Sequence, residues 1–226
     1  RLIENTANDL PFTPLQQDDW NLQLWWDAAD LTSMDQVTSP GAVGPPGNGA
    51  TVGFWQDKSG KGHHGIKVGN SINYSLTALN DSMPGLDFNS QGAMDLENTE
   101  DFDTWNQLTI FVLYEWAGAV GTTWHNVINK GGTGWNDASW VLQTMNNNSP
   151  HTQGTGFVLG SVDGGNFRLN GGANTVASTG NPKIIMAEYD GTSSSNQMKI
   201  YSNGVIAAQR SALSSLRSTP TRKVRV

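Results

Sequence analysis

Leu24-Trp25-Trp26-Asp27-Ala28-Ala29-Asp30 and, further on, Phe54-Trp55-Gln56-Asp57-Lys58-Ser59-Gly60-Lys61-Gly62-His63-His64-Gly65 are the stretches whose reading decides the fold. Residues 22–26 form an apolar run rich in Leu and Trp that predicts a strand, and strand character resumes over 52–56. Between them, residues 39–53 carry Pro40, Pro45, Pro46 and several glycines, which is loop chemistry. Asp57-Lys58-Ser59-Gly60-Lys61-Gly62 is a turn, because Asp and Ser hydrogen-bond the local backbone while Gly tolerates positive φ.

Outward from this core, residues 86–88 and 94–96 alternate apolar and polar side chains and predict a meander. Residues 109–114, Thr-Ile-Phe-Val-Leu-Tyr, are β-branched and aromatic with little alternation, the pattern of a central strand covered on both faces. Short strands are expected over 126–131, 139–144, 156–160 and 166–169, separated by Gly/Asn/Ser turns at the spacing of an antiparallel sandwich. Strands over 183–189 and 197–201 complete the set. Residues 1–21, with Pro11 and Pro14 and no sustained period, read as an extended N-terminal arm, residues 22–209 as the sandwich, and 210–226 as a basic tail or a truncated last strand.

Composition narrows the function classes. The chain has 226 residues, 26 Gly, 9 Pro and 15% charged residues, too few Lys- and Glu-rich amphipathic faces for a helical protein. The absence of Cys removes disulfides, thiol nucleophiles and Cys-ligated zinc together. A net charge of -7 disfavours nucleic acid and anionic membrane as partners, since both are bound through Lys and Arg. Arg210, Arg217, Arg222, Lys223 and Arg225 gather at the end of the chain, where the ordinary interpretation is a solvated tail. No apolar run approaches the length of a membrane span.

The two opening stretches, in that order, resemble the start of laminin-G-like domains of the concanavalin A-like superfamily as found in microbial and phage surface proteins. A second likeness lies in Ile184-Ile185-Met186-Ala187-Glu188-Tyr189-Asp190-Gly191 followed by Met198-Lys199-Ile200-Tyr201-Ser202-Asn203-Gly204-Val205, similar to the hairpin of that family in which one strand ends in Asp-Gly and its partner in Asn-Gly. Asn203-Gly204 suits a two-residue turn that needs positive φ at both positions. The resemblance implies an all-β fold, a two-sheet antiparallel β-sandwich of jelly-roll, concanavalin A-like form. Family members continue after this hairpin with a returning strand; here either 222–226 is that strand or the edge is left for another chain to fill.

Enzymes share such folds, so catalysis has to be argued from a site. Glycoside hydrolases of this superfamily carry paired acidic residues on one strand, and no such strand is present. Glu97, Glu100, Asp101 and Asp103 form a polar cluster more ordinary for a solvated loop, and His63, His64, His125 and His151 have no zinc-ligand spacing. Relatives often hold calcium at a rim through Asp carboxylates and carbonyls, and the candidates for Ca2+ here are Asp57, Asp87, Asp163 and Asp190. The nine Trp weigh most, because an indole stacks on the apolar face of a sugar while neighbouring amides and carboxylates bond its hydroxyls. Trp25, Trp55 and Trp140 fall on predicted strands and are expected in the core, and Trp116 begins a Gly/Ala-rich loop. Trp124 and Trp135, with Asn136 and Asp137, are the candidate carbohydrate-binding residues.

The expectation is a non-catalytic carbohydrate-binding or adhesion module, extracellular, on a cell surface or on a virion. Its partners would be a glycan or polysaccharide, and proteins of a larger assembly docked through the arm and tail. The alternatives are a purely structural virion or scaffold protein of the same fold, and a glycan-cleaving enzyme whose carboxylates converge only in space.

Overall fold

A computed structural model describes residues 22–89, 92–97, 99, 102, 105–116, 125–131, 137–145, 154–161, 163–178, 180–211, 216–219 and 221–226. The expected arm, 1–21, lies outside them. The described strands, in chain order, are β1 (Met34–Asp35), β2 (Phe54–Trp55), β3 (Gly65–Gly69), β4 (Ile72–Leu79), β5 (Met83–Phe88), β6 (Gly92–Leu96), β7 (Gln107–Tyr114), β8 (His125–Lys130), β9 (Trp140–Met145), β10 (Gly154–Gly160), β11 (Asn166–Asn170), β12 (Lys183–Asp190), β13 (Met198–Ser202), β14 (Val205–Arg210) and β15 (Val224–Arg225). Among the described residues no helix is long and apolar enough to cross a membrane.

The strands build an antiparallel β-sandwich. One layer is a nine-stranded sheet in the order β1-β2-β3-β6-β15-β8-β9-β10-β11; the other comprises the four-stranded β14-β13-β12-β7 and the β4-β5 hairpin. Period-two burial makes the contact between layers. Leu96, Ile128, Trp140, Leu142, Phe157, Leu159 and Leu169 of the large sheet pack with Leu108, Ile110, Ile185, Ala187, Met198 and Ile200 of the small one. A second cluster joins Met34, Trp55 and Met94 to Ile72 and Tyr74 of the hairpin. Asn203 and Gly204, at φ 49° and 79°, form the predicted turn between β13 and β14.

Several sequence expectations are corrected. Residues 22–26 form no strand: the Trp25 N–H donates to Asp57 Oδ1 (3.0 Å) and its carbonyl accepts from Lys58 N–H (2.8 Å), so its backbone groups are satisfied without a ladder. β5 and β6 are not a meander, because β5 pairs with β4 while β6 lies between β3 and β15 in the other layer. β7 is not covered on both faces. It ends the four-stranded sheet, and its outward Phe111 and Leu113 are 62% and 43% exposed, so its unbroken apolar run reflects two differently used faces. Residues 224–225 are a strand inside the large sheet, where the Arg225 guanidinium makes a two-pronged contact with Asp95. Glu97 is exposed, and Glu100, Asp101 and Asp103 lie outside the described residues.

The opening motif is held by one carboxylate. Asp57 is buried, and four donors converge on it: the N–H groups of Trp25 (3.0 Å) and Ser59 (2.9 Å) on Oδ1, and the Ser59 hydroxyl (2.6 Å) and His63 N–H (3.1 Å) on Oδ2. The irregular segment delivers Trp26 onto Trp55, ring centroids 4.9 Å apart, over Gly65, where a Cβ would stand 2.7 Å from the Trp26 ring. Lys58 covers the other indole, 4.6 Å above Trp25, and pairs with Asp30 at 2.8 Å. Burial pushes the Asp57 carboxyl up, but the hydrogen bonds outweigh it and hold it below the ordinary carboxylate range.

A carboxyl depressed in the folded state contributes stability above its unfolded pKa and loses it as pH falls through the folded value. Wild-type stability therefore declines below about pH 4, and Asp57→Asn flattens that decline. Asp57→Ala costs about 2–4 kcal/mol, since it strands buried donors. Urea unfolding between pH 3 and 7 measures both; an alanine variant of wild-type stability would show that the carboxylate does not anchor the motif.

Candidate functional site

One rim of the sandwich collects the ends of six strands. Lys183 opposes Tyr114, His125 opposes Thr144, Gly154 opposes Met145, and Gly156 opposes Asn170, so β7, β9 and β11 end where β8, β10 and β12 begin. The layers are tied at this rim by side chains. The Tyr114 and Thr155 hydroxyls lie 2.8 Å apart, and Thr155 donates twice to Thr175, its N–H to Oγ1 (2.7 Å) and its hydroxyl to the carbonyl (2.9 Å). Just past β7, the Glu115 carboxylate accepts the N–H groups of Asn80 (2.7 Å) and Gly180 (2.8 Å), binding the β4-β5 hairpin tip to the loop before β12.

The outward face of the large sheet carries amides at this rim. Cross-strand partners share a face, so Asn126, Gln143, Gly156 and Asn170 form one row across β8, β9, β10 and β11. The adjoining row is Asn129, Val141, Val158 and Arg168. Gly156 leaves bare backbone between the two amides that flank it. Asn126 is exposed and Asn170 half-buried, its Oδ1 accepting from Gly172 N–H at 2.8 Å. Gln143 is 0% exposed, yet neither its Nε2 nor its Oε1 has a hydrogen-bond partner. An amide left in that state costs about 1–3 kcal/mol, so its presence in the middle of an otherwise well-packed strand calls for a ligand or a functional reason. Burial of the neighbouring Arg168 guanidinium pulls its pKa down to about 10.

Aromatic surface stands at the same rim. Trp116, half-buried, lies 4.3 Å from the His125 ring at an interplanar angle of 39°. Desolvation beside Trp116 lowers the His125 pKa from the ordinary histidine value. A Trp face and a row of amides are the two chemical elements of sugar recognition: C–H stacking and bidentate bonding of vicinal hydroxyls.

The residues singled out from sequence are dispersed. Trp124, Trp135 and Asn136 lie outside the described residues; their described neighbours, His125 and Asp137, stand at opposite ends of the β8-β9 pair. Six strand residues separate those ends by roughly 17–20 Å. Asp137 is half-buried and bonded to Arg222 at 3.0 Å through Oδ2. Of the calcium candidates, Asp57 has both oxygens occupied by N–H and O–H donors, Asp87 is exposed on β5, and Asp163 is exposed in the turn before β11. Asp190, at the end of β12, accepts from Gln107 Nε2 and from Thr192 N–H and Oγ1. They do not converge, and among the described residues no three His, Asp or Glu side chains group as a metal site. His63 is buried against Phe102, and His64 Nδ1 accepts the Asp57 N–H at 3.1 Å. Trp55 and Trp140 are core residues as expected, whereas Trp25 is half-buried beneath Lys58. Asn126, Gln143 and Asn170 went unread; the available signal was a Gln within the apolar run Trp140-Val141-Leu142-Gln143, facing a Gly-rich strand.

No protein-family model matches the sequence, and no curated protein is similar to it. Among solved structures the chain is similar to domain 4 of AbnA, a GH43 extracellular arabinanase from Geobacillus stearothermophilus, in complex with arabinotriose. The TM-score is 0.53 with 76% of each chain covered, at 13% sequence identity, a likeness of fold.

Gln143→Met, which keeps the volume and removes the orphaned amide, raises folding stability by about 1 kcal/mol. The urea midpoint reads this directly; a destabilised variant would mean that the amide is paired in the native protein.

Proposed function

We propose that the chain is a non-catalytic carbohydrate-binding module, laminin-G-like in type and displayed on an extracellular, cell or virion surface for adhesion. The observation that carries this is the amide row Asn126, Gln143 and Asn170, with an unpartnered buried amide at its centre and Trp116 at the same rim. Such an amide is expensive in the free protein and is repaid when a sugar hydroxyl pair takes up its donor and acceptor. The shared fold with a domain whose structure holds arabinotriose supports the choice of a glycan as ligand. Binding rather than cleavage is favoured because the Glu115 carboxylate at the rim has each oxygen bonded to a backbone N–H group, which gives it a structural task.

The test is titration calorimetry with arabinotriose, preceded by a glycan and polysaccharide array with and without a calcium chelator. Binding is expected for at least one glycan, unaffected by chelation, with Asn126→Ala, Gln143→Met and Trp116→Ala each weakening it at least about tenfold, or about 1.4 kcal/mol. Failure to bind any glycan at millimolar concentration, or equal binding by all three variants, would overturn the proposal.

A further inference from the structure

The outward face of the four-stranded sheet has the opposite chemistry to the amide face. Register places Phe111, Met186, Tyr201 and Ile206 in one row across β7, β12, β13 and β14, with Leu113 and Ile184 paired in the next. Phe111 is 62% exposed, Ile184 52% and Ile206 48%. With Leu113, 43% exposed, these side chains present on the order of 400 Å² of contiguous apolar surface, a patch of the size that marks interaction sites.

We propose that this face is the two-fold interface of a homodimer, each copy packing its β7-β12-β13-β14 sheet against that of the other. With Met186 and Tyr201 between these side chains and Glu188 and Lys199 beside them, two such faces bury on the order of 1,000 Å², the size at which a specific association begins. The surface is self-complementary in charge as well as in polarity. Beside the apolar rows lies Glu188, whose carboxylate accepts from Lys199 Nζ (2.8 Å) and the Tyr201 hydroxyl (3.3 Å), so the border is neutralised within each copy and meets its symmetry mate without like-charge repulsion. Flat outward β faces stack in this way at about 10 Å spacing. The amide row lies on the other face of the other sheet, so dimerisation does not cover it and sets the two rows on opposite sides of the assembly. Two weak sites then act together on a polymeric ligand.

Sedimentation equilibrium from about 1 to 200 μM tests this. The expected result is a mass rising with concentration from 24.3 kDa toward twice that value. Phe111→Glu and Ile184→Glu, which bury charge in the interface but alter exposed positions, weaken association at least about thirtyfold with unchanged circular dichroism. Asp163→Asn, at an exposed turn before β11 of the other sheet, leaves it intact. A single 24.3 kDa species throughout the range, or a dimer undiminished in both interface variants, would overturn the proposal.

Discussion

The four hydrogen bonds converging on Asp57 are the constraint on which the first half of the molecule depends. Residues 22–30 belong to no sheet, so nothing in the ladder holds them. The Asp57 carboxylate supplies the missing partner for the Trp25 N–H and, in the same act, shapes the turn that carries Ser59 and His63. With that segment in place, Trp26 stacks on Trp55 and closes the cluster of Met34, Val52, Ile72, Tyr74 and Met94 beneath the β4-β5 hairpin. The hairpin would otherwise be an isolated two-stranded element, which is marginal in water; it is fastened at its far end by Glu115.

A sandwich buries one face of each sheet, and that requirement fixes only half of the side chains. The other halves are free to specialise, and here they do so in contrasting ways. On the large sheet the outward positions of β8 to β11 carry Asn126, Asn129, Gln143, Arg168 and Asn170 around bare glycine backbone. The small sheet presents Phe111, Leu113, Ile184 and Ile206. The polar face carries an unfavourable burial at Gln143 and the apolar face an unfavourable exposure. Each is the kind of local inconsistency that marks interaction surfaces rather than packing.

Many strand-forming segments and the turn chemistry were legible from the chain alone, because side-chain period and glycine or asparagine conformational tolerance are local properties, whereas 22–26 is no strand and β4 and β14 were not foreseen. Residues 183–189 and 197–204 illustrate this, with strands and turn where pattern and Asn203-Gly204 place them. The turn at 57–62 was equally readable, although its role in anchoring Trp25 was not. Which strands become neighbours was hidden, since 86–88 and 94–96 have the same alternation but belong to different layers. The position of 109–114 was misjudged for a related reason: an apolar run reports side-chain type on both faces but not what covers them.

The candidate site was the least visible part. Single Asn and Gln residues on three strands, separated by up to 44 positions, acquire meaning only when antiparallel register sets them side by side. Trp-rich loops drew attention by composition, whereas the amide row is a product of pairing. Composition and period thus determined an antiparallel, Cys-free β protein with its turns in place. Tertiary structure alone decided strand order, the task of Asp57 and the chemistry of the two outer faces, because these depend on contacts between residues whose separation in sequence carries no signal.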